Sequence, residues 1–153
     1  MLSTTAQHAL RAMAALASSP DEALLGREIS ELAEIPPNYL SKILLDLNRA
    51  GLVTAVRGTG GGYRLQRPAD EITLIEIIDI FDQMRARPSC MLWGTERICS
   101  DETACTAHAE WKSVRDTYLT FFRDTTLDDL ALDQPAPKRA TRKSAKKPAK
   151  RTR

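Results

Sequence analysis

The sequence predicts a mainly α-helical chain with a small β-wing: a winged helix-turn-helix followed by a long C-terminal helix. Three observations predict it. Two short amphipathic segments, 27–34 and 37–49, meet at a Pro-Pro step. A strand, a glycine turn and a second strand follow at once, over 52–68. The segment from 104 to 122 then carries bulky apolar residues at helical spacing.

The first helix is predicted behind Thr4, which with Gln7 has the spacing of a capping box. Ala6, Ala9, Leu10, Met13, Leu16 and Ala17 recur on one face of it, and SSPDE breaks the pattern. REISELAE puts Ile29, Leu32 and Ala33 on one side of a short second helix. Pro36 and Pro37 suit the entrance of a third, because the first helical position needs no N–H. Tyr39, Leu40, Ile43, Leu44 and Leu47 form its apolar stripe, and Gly51 is its stop.

LVTAV is a short β-branched run and YRLQRP a second strand with Pro68 at its exit. Between them, four of the five residues after Arg57 are glycine. This unit, placed directly after two short helices and a tight turn, reads as the wing of a helix-turn-helix. Thr73 with Glu76 is a second capping-box spacing, opening a helix with Leu74, Ile77, Ile78 and Phe81 on one face. The cysteine stretch CMLWGTERICSDETACTAHAE follows, with weak periodicity until Ala104. From there Trp111, Val114, Tyr118, Phe121 and Phe122 build an aromatic seam. It is wide for so small a body, so part of it is expected against a second subunit. TLDDLAL adds a short helical turn.

A length of 153 residues suits one domain with an appendage. The expected division is a DNA-reading unit over 1–83, a cysteine loop over 84–108, a dimerisation helix with a short terminal helix over 109–134, and a tail over 135–153. The overall charge of +2 hides a split. The tail holds nine basic residues and no acidic one, leaving 13 of the 22 basic residues against all 20 acidic ones in 1–134. With no apolar residue larger than alanine, the tail cannot support a core and is expected to be disordered, adding non-specific phosphate contacts or solubility. No charged start followed by an apolar run is visible, and no stretch approaches the ~20 apolar residues of a membrane helix. A cytoplasmic location is expected. Three cysteines there point to ligands or sensors before disulfides.

A helix-turn-helix lays its second helix in the DNA major groove. Asn38, Ser41 and Lys42 lie on the outer side near the start of that helix, with Tyr39 at the edge. Asn pairs with adenine in bidentate fashion, and Lys reaches guanine or phosphate. Arg57 opens the wing, and Thr59 and Gly60 stand at its tip. The glycines keep the backbone slim enough for a narrow minor groove, whose negative potential attracts arginine. Arg49, Arg64 and Arg67 are further phosphate contacts on this reading. An enzyme is disfavoured: RGTGGG follows a strand but opens no helix, so it is no phosphate-binding loop. The two histidines form no evident catalytic pair.

The cysteines are spaced Cys90-x8-Cys99-x5-Cys105-x2-His108. Thiolates are soft donors that suit iron–sulfur clusters, zinc or copper(I). Zinc knuckles bring close C-x2–4-C pairs, and neither gap here is that short. Gly94, Ser100, Asp101, Glu102 and Thr103 suggest a wet loop able to wrap a broad cluster. On spacing alone, cluster and zinc stand nearly equal.

The run LSKILLDLNRAGLVTAVRGTGGGYRLQRPADEITLIEIIDIFD resembles the Rrf2 family of bacterial transcription regulators over about residues 1–132. RGTGGGYRL and the three cysteines beyond the next helix are its most specific marks. The family includes an iron–sulfur cluster regulator, a nitric-oxide-sensitive repressor and a rhizobial iron regulator. The resemblance implies a homodimeric winged-helix protein on double-stranded operator DNA. Asn38, Ser41 and Lys42 would face the major groove and Arg57 the minor groove. It also implies an iron–sulfur cluster on Cys90, Cys99 and Cys105, sensing iron or cluster status, nitric oxide or redox stress. The second cysteine gap and the x2-His match the cluster regulator, where the histidine ligates; the longer first gap is nearer the iron-responsive relatives. With His108 as fourth ligand a [2Fe–2S] cluster is favoured, and without it a [4Fe–4S] cluster with a labile site. Nitric-oxide-sensitive relatives use an N-terminal carboxylate where Gln7 falls, and Gln is a poor iron ligand. The alternative is a winged-helix repressor with a thiol or zinc sensor and no cluster.

Overall fold

Ser3 starts the first helix of the computed structural model, which describes residues 2–84 and 89–130. Its hydroxyl accepts from the N–H of Ala6 (3.1 Å), capping α1 (Thr4–Ala17). The cap is thus one residue earlier than the Thr4–Gln7 spacing implied: Gln7 instead turns its amide back to the Leu2 carbonyl (3.1 Å). Ser3 N–H also donates to Asp82 (2.9 Å), pinning this end to the last residue of α4 (Leu74–Asp82). The inner side of α1 is mostly alanine, with Ala6, Ala9, Ala12 and Ala15 fully buried. Such small side chains let the neighbouring helices approach closely, and α1 is the centre of the unit, touching the next three helices and the second strand of the wing.

α2 (Gly26–Ala33) and α3 (Pro37–Arg49) form the helix-turn-helix. Glu34 ends α2 in the left-handed region (φ 53°). Ile35 N–H then donates to the Ser30 carbonyl (3.0 Å), and the Ser30 hydroxyl to the Ile35 carbonyl (2.5 Å), closing the turn from both sides. Pro37 occupies the first helical position, as its missing N–H allows. Leu40, Ile43, Leu44 and Leu47 are buried against α1 and α2, the stripe read from the sequence, while Tyr39 lies outside it. Gly51, at φ 75°, releases the chain into the wing.

The wing pairs β1 (Val53–Val56) with β2 (Gly62–Leu65) antiparallel, in the register Val53↔Leu65 to Val56↔Gly62. Leu24, in the loop before α2, adds a bridge to Tyr63 through two hydrogen bonds of 2.9 and 2.7 Å. Gly62 makes this approach possible: a Cβ there would overlap the Leu24 carbonyl. The wing is therefore fastened along β2 to the loop before α2, with Arg57 to Gly60 exposed at the tip.

α4 (Leu74–Asp82) begins with the predicted Thr73–Glu76 pair: the Glu76 carboxylate accepts from Thr73 N–H (2.9 Å) and from the Thr73 hydroxyl (3.0 Å). The cysteine stretch departs from the loop expectation. β3 (Ser89–Cys90) and β4 (Gly94–Ile98) form a short irregular hairpin, and a 3₁₀ turn follows at Asp101–Thr103. α5 (His108–Asp124) begins at His108, four residues later than Ala104, so Cys105 precedes the helix.

After α5 the chain doubles back. Thr126 bridges Thr73, Leu74 N–H donates to the Thr125 carbonyl (3.0 Å), and Leu127, fully buried, enters the main core. The predicted terminal turn is the 3₁₀ segment Asp128–Leu130. The aromatic seam is split: Phe122 and Tyr118 pack on Leu74, Ile75 and Ile78 of α4, whereas Val114 and Phe121 stay exposed. Among the described residues no helix is long and apolar enough to cross a membrane. The basic tail, 135–153, lies outside the described residues.

Candidate metal centre and nucleic-acid interface

The β3–β4 hairpin, the 3₁₀ turn and the start of α5 bring the three thiols and one imidazole to a single cavity. Cys90, Cys99, Cys105 and His108 wall a space of about 490 Å³, closed on another side by Trp93 and Arg97. Arg97 stacks its guanidinium over the Trp93 ring at 4.5 Å, which holds that wall. All three cysteines are free thiols; Cys90 and Cys99 are half-buried and Cys105 is exposed. His108 is buried.

Cys99 Sγ lies 3.2 Å from His108 Nδ1. The other ring nitrogen, Nε2, lies 2.9 Å from Asp101 Oδ1. Lys112 Nζ reaches the same carboxylate at 3.3 and 3.4 Å. Hydrogen bonding from His108, and next from Lys112, holds the Asp101 carboxyl below its ordinary range. The backbone N–H groups of Leu92 and then Trp93 point at Cys90 and lower its thiol. Cys99 moves the other way: burial raises it, then the neighbouring Cys90, against the opposing charge of Arg115 and with a further rise from Cys105. Thiols crowded in this way resist joint ionisation unless a cation is shared among them.

The donor set fits an iron–sulfur group: three soft sulfurs and a borderline nitrogen around one roomy cavity. Among the described residues no three His, Cys, Asp or Glu side chains gather tightly enough for a lone ion. A cluster is wider than an ion and takes ligands several ångströms apart. Asp101 was read from the sequence only as loop polarity; its pairing with His108 depends on the fold of the 3₁₀ turn, which no local pattern announces. His8 packs edge-on against Tyr39 (5.5 Å, 86°), on the DNA-reading unit.

The second surface is the outer side of α3 with the wing tip. Asn38, Tyr39, Ser41 and Lys42 are all exposed on the first turns of α3, and Arg57, Thr59 and Gly60 are exposed on the wing. Ser41 back-bonds its hydroxyl to the Pro37 carbonyl (3.0 Å). Leu45, one turn further along the same side, is 49% exposed despite its apolar character. Gly58 and Gly60 sit at φ 95° and 88°, which explains their number in this short turn. The three other arginines differ. Arg64 is exposed, and Arg49 is exposed with a loose pair to Asp46 (3.5 Å). Arg67 is engaged otherwise: it donates to the Glu76 carboxylate (2.8 Å) and to the Glu71 carbonyl (3.3 Å), tying the wing exit to α4.

Comparison with known proteins agrees with this architecture. Residues 2–133 match the profile of the Rrf2 family, described as "Iron-dependent Transcriptional regulator". The HTH-type transcriptional regulator IscR of Cereibacter sphaeroides is 30% identical over 139 residues, 89% of this chain and 90% of that protein. CymR of B. subtilis, described as the global cysteine regulator, superposes with a TM-score of 0.72 at 26% identity, covering 86% of this chain and 95% of that one. An oxidized form of Staphylococcus aureus CymR gives 0.67 at 28% identity, covering 86% and 95%.

Proposed function

The chain belongs to the Rrf2 family of iron-dependent transcriptional regulators, and from that premise we propose that an iron–sulfur cluster held by Cys90, Cys99, Cys105 and His108 controls its binding to operator DNA. The observation that carries this reading is the shared cavity: three cysteines from a hairpin and a turn, and the buried first residue of α5, face one space. A [2Fe–2S] cluster with Cys3His ligation is favoured, because His108 Nδ1 already points to the Cys99 sulfur. Bound there, the cluster would supply a centre sensitive to iron supply, nitric oxide or oxidation.

The chain's own residues carry the signal onward. α5 starts at the thiols and spans ~25 Å. Its far end is fastened to the DNA-reading unit by Phe122 and, through the strand-like return, by Leu127. A loop tethered at the thiols therefore restrains a helix that is rigidly joined to α4. Val114 and Phe121, exposed on α5, are the surface we assign to a second copy. A dimer must match its two recognition helices to the operator's half-site spacing, so a shift of α5 changes affinity. On each DNA-reading unit Asn38, Tyr39, Ser41 and Lys42 would meet the major groove, and Arg57, Thr59 and Gly60 the minor groove. The division into a reader over 1–83, a sensor loop over 84–108 and a dimer helix over 109–134 follows the same logic.

Anaerobic purification tests this reading. A coloured protein with iron and acid-labile sulfide in equal amounts is expected, and Cys99→Ala or Cys105→Ala should remove the colour. A colourless protein without sulfide would falsify the cluster.

A second reading rests on Cys90, whose thiol the Leu92 and Trp93 N–H groups lower and which contacts Cys99. Here peroxide joins the two thiols in a disulfide, two electrons and two protons passing to the peroxide to give water, and no cluster is present. A peroxide-dependent Cys90–Cys99 crosslink in a protein that never takes up iron would favour it.

A further inference from the structure

We propose that Asp101 is the positioning residue of the sensor site: it commits the His108 imidazole to offer Nδ1, and not Nε2, to an iron centre held by the three thiols. This rests on the cluster reading above and adds a residue to it.

The argument begins with donors and acceptors. An ionised carboxylate only accepts hydrogen bonds. Asp101 Oδ1 stands 2.9 Å from His108 Nε2, so that nitrogen carries the proton. A neutral imidazole then has one lone pair left, on Nδ1. Nδ1 is the nitrogen that faces the cavity, 3.2 Å from Cys99 Sγ. A ring flip would turn a bare nitrogen toward the carboxylate and an N–H toward the metal side, losing both interactions. The ring is buried by its neighbours, so it has few other orientations open to it.

Asp101 itself is 77% exposed, and an exposed carboxylate is mobile without support. Two features restrain it. It sits on the 3₁₀ turn between Cys99 and Cys105, so the segment that delivers the thiols also delivers the carboxylate. Lys112, one turn after His108 on α5, reaches both of its oxygens. Metal-bound histidines generally need such an outer partner to fix ring orientation and raise basicity.

The test uses the full chain with Asp101→Ala, Asp101→Asn and, to assign the ring signals of the two histidines, His108→Ala. The first readout is ¹⁵N NMR of the imidazole nitrogens in the iron-free protein. The second is the rate at which an iron chelator strips the anaerobically reconstituted protein. The wild type should show His108 as the Nε2–H form. Asp101→Ala should show mixed tautomers and lose iron about 10–100-fold faster. Asp101→Asn, whose amide can present N–H₂ to the ring as readily as its oxygen, should also show mixed tautomers and lose iron faster than the wild type. Iron retention by Asp101→Ala equal to the wild type overturns the proposal, as does an Nδ1–H wild type that nonetheless takes up iron. A wild type that takes up neither iron nor sulfide overturns the cluster reading, and the proposal's ligand with it.

Discussion

Leu127 N–H donates to the carbonyl of Ile72 at 2.8 Å, which fastens the end of the long helix to the segment that leaves the wing. The side chain of Leu127 is fully buried in the main core beside Ile72 and Ile77. The DNA-reading unit is thus completed by residues more than fifty positions away in sequence. A force on α5 reaches it through this seam and through Phe122 packed on α4.

Leu127→Ala should therefore cost about 3 kcal/mol of stability, the usual range for deleting a buried leucine side chain. Urea unfolding of the cluster-free protein measures it. A loss below about 0.5 kcal/mol would show that the return segment is not part of the core.

Gly62→Ala places a Cβ against the Leu24 carbonyl at φ 150°. The bridge from Leu24 to Tyr63 should open, at a cost of about 1–3 kcal/mol. Helical circular dichroism should persist while operator affinity falls, because the wing loses its tie to the loop before α2 and the helices do not. Unchanged affinity in a gel-shift titration would argue against a positioned wing.

Arg57→Ala removes the exposed cation at the tip of the wing. Operator affinity should drop, and the slope of log affinity against log salt should fall by about 1. Lys42→Ala makes a useful comparison, since a base contact changes sequence preference more than salt dependence. An identical salt slope for Arg57→Ala and wild type would remove Arg57 from the interface.

Glu76 yields a pH prediction. Burial opposes its ionisation, yet the Thr73 N–H and the Arg67 guanidinium outweigh this and hold the carboxyl below its ordinary value of 4.5. A depressed folded-state value means stability that is fully present above the unfolded value and is lost as pH falls through the folded one. Glu76→Gln should flatten the acid limb of the stability curve below about pH 5. At neutral pH it should cost about 0.5–1 kcal/mol, as the pair with Arg67 is over a third exposed. An acid limb as steep as the wild type's would refute the assignment.

Local signals were legible where they were self-sufficient. The α3 stripe apart from Tyr39, the Pro37 entrance, the Gly51 stop and the Thr73–Glu76 pair each depend on near neighbours in the chain, and these are found as expected. The Thr4–Gln7 cap was misplaced because Ser3 offers the same chemistry one residue earlier. The hairpin within the cysteine stretch was missed because a two-residue strand and the largely polar run GTERI show no apolar alternation. Arg67 looked like a phosphate contact because only the fold brings Glu76 within 2.8 Å of it.

The sequence by itself determined the winged helix-turn-helix, the order of its parts and the family, because periodicity, turn glycines and caps are short-range properties. It also singled out the three thiols and the imidazole that the fold brings to one cavity, since soft-donor chemistry is written in residue type. Only the tertiary structure decided what surrounds them: that His108 is buried, that Asp101 holds its outer nitrogen, and that α5 ends inside the core of the DNA-reading unit. Those relations join residues through hydrogen bonds and burial across turns and return segments. Their energies depend on distance in space, which spacing along the chain does not encode.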